Sequence, residues 1–253
     1  MLIGASLKMY FSHARTIAWT TAVAELLAQH PIRDRVEMFV IPQYPSIPGC
    51  LDVAGALAVG AQDVAEHDAG AYTGEVSAAV LAELGCRYVE VGHAERRRMF
   101  GDTDGVVAAK TAAAMRAGLV PILCVGEAER VDPETAALAC SAQVDSALAL
   151  VPDAGELVIA YEPLWAIGAP APAPAEHIRG VCDRLRAHAD LRGLSARVIY
   201  GGSAGPGIIA DIADSVDGIF LGRFAHDPEA VRSILDEVAA VTGDARRRRA
   251  DGS

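Results

Sequence analysis

Val158-Ile159-Ala160-Tyr161-Glu162-Pro163-Leu164-Trp165-Ala166-Ile167-Gly168 reads as a strand that ends in a carboxylate and runs into a loop. Its first half is a short apolar run of the kind buried on both faces of a parallel sheet. Glu162 falls at the C-terminal end of that run, where α/β barrels keep their chemistry. Pro163 stiffens the exit, because its ring fixes φ and removes a donor. Leu164, Trp165 and Ile167 place apolar side chains in a surface loop, and Gly168 offers backbone that can close on a ligand. A base at the hinge, an apolar underside and a glycine at the tip make the design of a lid. An isolated glutamate beside a loop is more often a plain surface carboxylate, so the neighbouring sequence has to decide.

Outward from this stretch, short apolar runs alternate with Ala- and Leu-rich amphipathic stretches. Strands are expected at 2–7, 36–41, 56–62, 88–92, 120–125, 157–161, 198–201 and 218–221. Helical patterns fall at 14–28, 76–84, 105–117, 133–150, 175–191, 208–214 and 228–241, with a fainter one at 44–53. Strict alternation implies a parallel sheet, and about eight units in this length fit a closed (β/α)8 barrel. A doubly wound open sheet is the alternative, but no G-x-G-x-x-G follows the first strand. The chain reads as one domain, 1–242, with a disordered, solvated tail at 243–253 that carries Arg246 to Arg249.

The chain has 253 residues, 52% of them hydrophobic, which is enough to bury a large core. A formal charge of −11 argues against nucleic acid and anionic membranes as partners. An anionic substrate has to be held by local cations and backbone N–H groups against that field. Five cysteines with no C-x-x-C fit reduced thiols in the cytoplasm rather than a disulfide framework or a zinc site. Met1-Leu2-Ile3-Gly4 lacks the start of a signal peptide, and no segment is apolar for long enough to span a bilayer.

Other strand ends carry chemistry too. Lys8 follows the first strand, where a lysine can face the site as a positive point charge. His93 follows the fourth, after Gly92, and Ala94-Glu95-Arg96-Arg97 looks like the first turn of a helix. A helix N-terminus disfavours a second positive charge, which keeps His93 a neutral donor. Glu95 is placed to pair with Lys8 or Arg96. Tyr200-Gly201-Gly202-Ser203-Ala204-Gly205 and Leu221-Gly222-Arg223-Phe224 follow the seventh and eighth strands. Backbone N–H groups in such turns can line a phosphate, and barrels often hold one there. The long loop after the third strand exposes Tyr72 and Thr73, with a partner subunit as its plausible contact.

With these residues in view, the chain resembles the triosephosphate isomerase family over nearly its whole length. The resemblance rests on Lys8-Met9, Gly60-Ala61-Gln62, the run 70–77, and Val91-Gly92-His93 with Glu95-Arg96-Arg97. It rests equally on Cys124-Val125-Gly126-Glu127, Tyr161 through Gly168, Tyr200-Gly201-Gly202-Ser203, and Asp217-Gly218 leading to Gly222. It implies a cytoplasmic homodimer of glycolysis and gluconeogenesis that interconverts dihydroxyacetone phosphate and glyceraldehyde 3-phosphate through an enediolate. Glu162 is then the base, His93 the donor that moves protons between the enediolate oxygens, and Lys8 the cation that stabilises negative charge. Ser6, Gly168, Ser203, Gly222 and Arg223 hold the substrate and its phosphate. Pro163 and Trp165 belong to the lid, and Ile167 and Phe220 clamp Glu162 away from water. Thr73, in the loop from Gly70 to Ser77, reaches into the second subunit. No metal and no organic cofactor is implied.

The departures from the family pattern cluster at the site. Ser6-Leu7 stands where the family usually has Asn-Trp, and Ala94 where it has Ser. Ala169-Pro170-Ala171 replaces a Thr-Gly-Lys-like hinge, and Arg223 the second glycine of the phosphate turn. If that position needs φ > 0, an arginine there strains or reshapes the turn. Ser6 opens space, and the Gly222-Arg223 turn looks like that of family members acting on four-carbon ketose phosphates such as erythrulose 4-phosphate. Three readings stay open: a triosephosphate isomerase, a four-carbon ketose phosphate isomerase, and a phosphate-binding barrel without catalysis.

Overall fold

Eight parallel strands, in sequence order, close on themselves as a barrel. They are β1 Leu2–Ser6, β2 Glu37–Ile41, β3 Ala58–Ala61, β4 Tyr88–Val91, β5 Val120–Val125, β6 Glu156–Tyr161, β7 Ser195–Tyr200 and β8 Gly218–Leu221. The helices are α1 His13–Gln29, α2 Ile47–Val53, α3 Ala78–Leu84, α4 Ala94–Phe100 and α5 Asp104–Arg116, then α6 Pro133–Ala147, α7 Ala175–Leu191, α8 Ile209–Ile212 and α9 Pro228–Asp251. This computed structural model describes residues 1–151 and 155–251, with side chains through 243. The chain is therefore a TIM (β/α)8 barrel. The disordered tail expected at 243–253 falls almost entirely on residues whose side chains, or whole structure, lie outside the described ones.

Strand alternation divides the core into two shells. Leu2, Phe39, Tyr88, Ile122, Val158 and Phe220 fill the barrel. Ile3, Val40, Val89, Leu123, Ile159 and Val198 face outward and pack under the helices. β7 begins earlier than the apolar run 198–201 suggests, because Ser195 and Arg197 pair in register with Glu156 and Val158. Arg197 plugs the lower end of the barrel, reaching Glu37 and Glu156 at 2.6 Å each and the Tyr88 hydroxyl at 2.8 Å. Side-chain caps fix where several helices start: Ser77 caps α3, Thr103 caps α5 and Asp132 caps α6. The faint pattern at 44–53 is a short 3-10 turn, Tyr44–Ser46, running directly into α2.

A buried ionic cluster ties the loop after β3 to α4 and α5. Lys110 donates to both oxygens of Asp63, at 2.8 and 2.9 Å, and to Asp102 at 2.8 Å. Arg96 lies 2.9 Å from Asp63 and 3.2 Å from Asp102. No helix among the described residues is long and apolar enough to cross a membrane.

Candidate active site

The C-terminal ends of the strands surround a cavity of about 860 Å³, lined by Ser6, Lys8, Glu90, His93 and Glu162 among others. Ile167, Gly168, Ser203, Phe220, Gly222 and Arg223 face the same cavity. The structure thus brings together the expected base, donor, cation and phosphate turns. Pro163, Trp165 and Thr73 do not line it.

His93 is set by a tight turn. Gly92 takes φ +73, a left-handed value a side chain would resist. His93 then caps α4, its Nδ1 accepting the backbone N–H of Glu95 at 3.1 Å. A neutral imidazole that accepts at Nδ1 carries its hydrogen on Nε2. That Nε2 faces the cavity, 3.8 Å from Glu162 Oε2 and 3.8 Å from Glu90 Oε1.

Glu162 leaves β6 held by its own N–H to Val125 O at 2.8 Å. Its side chain lies over Gly201, where an added Cβ would sit only 2.5 Å from Oε1. The carboxylate is buried, and Oε2 has no hydrogen-bond partner among the described residues. Although Ala94 removes a hydroxyl from this neighbourhood, Glu162 therefore rests inward, facing His93. Lys8 takes φ +46 and donates to Glu95 Oε1 at 2.8 Å, which settles the pairing of Glu95. Burial would pull the Lys8 ammonium down. The hydrogen bond to Glu95 and the charges of Glu95, Glu162 and Glu90 outweigh it and hold the pKa above its ordinary value.

The loop expected to act as a lid is tied down at several points. Leu164–Ala166 forms a 3-10 turn, and Trp165 Nε1 donates to Glu127 Oε1 at 2.7 Å. Tyr161 and His177 reach the same oxygen at 3.1 and 3.2 Å. Ser203, at φ +53, donates its hydroxyl to Ala166 O at 2.7 Å. Tyr200 accepts the N–H of Ala173 at 3.0 Å and donates to Gly202 O. Phe220 lies in the barrel interior against Phe39, their centroids 5.7 Å apart, and forms the cavity floor.

Arg223 does not strain the turn expected to hold the phosphate: Gly222 has φ −97, Arg223 is not left-handed, and it opens a 3-10 turn, Arg223–His226. The Arg223 guanidinium lies beside Gly168 at the lid tip. Thr73 stands exposed in the loop after β3, braced by Glu75 N to Tyr72 O at 3.1 Å and by Tyr72 stacked on His67. Among the described residues, no cluster of His, Cys, Asp or Glu is grouped to hold a metal ion.

Sequence reasoning gave no role to Glu90. It is buried at the top of β4 and accepts from Ser6 Oγ at 3.2 Å. Burial, with the Glu162 charge adding to it, pushes its pKa up to about 7 against the opposing pull of His93, Lys8 and Ser6. The signal that could have found it is a lone acid inside an apolar strand, Tyr88-Val89-Glu90-Val91.

Residues 1–238 match the family model described as Triosephosphate isomerase. The chain is 47% identical to an L-erythrulose-1-phosphate isomerase of Pectobacterium atrosepticum, over 97% of this chain and 98% of that protein. It is 39% identical to a triosephosphate isomerase of Leifsonia xyli subsp. xyli, over 92% of this chain and 95% of that protein. It is 40% identical to one of Mycobacteroides abscessus, over 90% and 92%.

Proposed function

This chain belongs to the triosephosphate isomerase family, and we propose that within it the enzyme isomerises a four-carbon ketose phosphate of the erythrulose 1-phosphate class. The proton-transfer chemistry rests on one observation: His93 Nε2 and Glu162 Oε2 face each other 3.8 Å apart across a buried corner of the cavity. The choice of four carbons over three is supported by the higher identity to an isomerase of that class. Ser6, a short side chain on the cavity wall, supports it as well.

In this substrate the ketone is at C2 and the neighbouring C3 carries a hydroxyl and a hydroxymethyl group. Glu162 takes the proton from C3. The C3–H electron pair becomes the C2=C3 bond, and the carbonyl π pair moves to O2, which His93 protonates from Nε2. The imidazole nitrogen then takes the proton of the O3 hydroxyl, and Glu162 returns its proton to C2. The carbonyl has moved to C3, so the product is the 4-phosphate of erythrulose counted from its other end. Lys8 stabilises the negative charge on the enediolate. The turns at Ser203 and Gly222, with Gly168 and Arg223, hold the phosphate, while the lid with Ile167 excludes water.

The working form is a homodimer. Met9 is 83% exposed and Phe100 65%, with Tyr10, Tyr72 and Met99 also exposed, and apolar groups so exposed favour cover by a second copy. Five buried free thiols suit a reducing cytoplasm.

The test is kcat/KM on L-erythrulose 1-phosphate beside dihydroxyacetone phosphate. The expected result is a preference for the four-carbon substrate of at least about tenfold. The opposite preference would make the chain a triosephosphate isomerase, and inactivity on both would leave a binding protein.

A further inference from the structure

β4 carries an acid where a barrel interior wants an apolar side chain. Alternation along the strand points Tyr88 into the barrel, and Glu90, two residues on, points the same way one layer higher. Its neighbours in that layer are Ser6 from β1 and Cys124 from β5. Glu90 is 3% exposed, yet it lines the cavity. A buried carboxyl is costly unless partners repay it, and here they are meagre. Oε2 accepts from the Ser6 hydroxyl at 3.2 Å. Among the described residues, Oε1 has only the Cys124 thiol and His93 Nε2, each at 3.8 Å. A thiol is a weak donor, so Oε1 keeps acceptor capacity to spare and turns it towards the site. The Ser6–Glu90 bond does not brace a strand pair either, since β1 pairs with β2 and β8.

The position of Glu90 in the barrel matches one part of the substrate. In a closed barrel of eight strands in sequence order, β4 stands opposite β8. The phosphate turns follow β7 and β8, so the end of the substrate far from the phosphate points towards β4. The carbon that loses its proton has to lie on the cavity side of Glu162 and His93, and His93 Nε2 is equally far from Glu162 Oε2 and Glu90 Oε1. A group branching from that carbon meets Glu90. A three-carbon substrate has only hydrogen there, whereas a four-carbon ketose phosphate has CH2OH.

We propose that Glu90, with Ser6 beside it, is the subsite for the terminal hydroxymethyl group of the substrate, Glu90 Oε1 accepting a hydrogen bond from the C4 hydroxyl. This deepens the four-carbon reading and rests on it. Burial pushes the Glu90 carboxyl up to about 7, and a hydroxyl donor at Oε1 favours the charged form, so the substrate would relieve part of that cost. Sites built to hydrogen-bond a substrate hydroxyl discriminate strongly against analogues without it.

The experiment compares the wild-type chain with Glu90→Leu and Glu90→Gln on three substrates: L-erythrulose 1-phosphate, its 4-deoxy analogue and dihydroxyacetone phosphate. Thermal melts confirm that each variant is folded. In the wild type, kcat/KM should fall by about 100-fold when the C4 hydroxyl is removed. Glu90→Leu should abolish that discrimination and lower the four-carbon to three-carbon ratio by about 100-fold, while Glu90→Gln, which still offers a carbonyl oxygen, should keep most of both. If Glu90→Leu lowers all three substrates by the same factor, or leaves the 4-deoxy discrimination intact, Glu90 does not bind the hydroxyl and the subsite is wrong. The substrate reading survives that result. A wild type that ignores L-erythrulose 1-phosphate overturns the substrate reading itself, and the subsite with it.

Discussion

Two groups of buried charge in this barrel are treated in opposite ways. In the first, Lys110 and Arg96 meet Asp63 and Asp102 through contacts of 2.8 to 3.2 Å, and both oxygens of Asp63 have a cationic partner. In the second, Glu90 and Glu162 flank one histidine, Glu162 Oε2 has no hydrogen-bond partner among the described residues, and Glu90 leans on a hydroxyl and a thiol. In the first group every charge has a partner inside the protein, although burial still raises the Asp63 pKa against the pull of Lys110 and Arg96. The second is answered only in part, and a hydroxyl donor on the proposed substrate would add to it. Deleting a member should therefore move stability in opposite directions in the two places.

Lys110→Met tests the first half and carries the largest expected effect. It leaves two buried carboxylates to share Arg96. The loss should be about 3–5 kcal/mol, read as a lower denaturation midpoint at unchanged slope. A loss below about 1 kcal/mol would mean that the cluster is no better satisfied than the site.

Glu90→Gln tests the second half, and its sign is reversed. The folded carboxyl titrates near 7 because burial, and then the Glu162 charge, disfavour its ionised form, while His93, Lys8 and Ser6 pull the other way. An unfolded glutamate titrates near 4.3. Between these values the native state holds more protons than the unfolded one, so this group makes wild-type stability fall as pH rises. The variant lacks that term. Its stability relative to wild type should rise by about 3 kcal/mol from pH 4 to pH 8 and level off above. A difference that does not change with pH would show that burial does not disfavour the charged form of Glu90.

The barrel that carries both groups was largely legible in the sequence, the ionic cluster was not, and the site was legible only in part. Alternation of apolar runs gave the barrel, because a closed parallel sheet imposes that rhythm on each strand in turn. Lys8, His93 and Glu162 could be picked out because each follows a strand end and stands in a distinctive local run. Glu90 stands out locally only as a lone acid in an apolar strand; its role depends on which residues of β1, β5 and β6 close over it, and strand pairing is not written locally. The early start of β7 was hidden for a similar reason: Ser195 and Arg197 look like loop until Glu156 and Glu37 meet the arginine. The resting place of Glu162 was hidden too, because a distant glycine, Gly201, makes room for it.

Glu162→Asp asks whether the unanswered oxygen is the working one. Retracting the carboxylate by one methylene should lower kcat by on the order of 100-fold while the melting temperature stays close to wild type. Unchanged turnover would remove Glu162 as the base.

Gly201→Ala probes the same carboxylate from the side of its other oxygen, Oε1, with a smaller expected effect. The new methyl carbon would stand 2.5 Å from Glu162 Oε1 and 2.7 Å from its Cγ, so something has to shift. The Glu162 side chain is the softest part of that contact, so the fold should survive and the carboxylate should swing away from its place opposite His93 Nε2. Misplacing a base by a fraction of an ångström should cost kcat about tenfold with little change in KM. The informative measurement is the coupling with Glu162→Asp. The aspartate is already drawn back from the space the methyl group occupies, so adding Gly201→Ala to it should cost much less than adding it to the wild type. Equal costs in the two backgrounds would mean that the methyl group acts on the β7 turn and not on the carboxylate. The inward position of Glu162 would then owe nothing to Gly201.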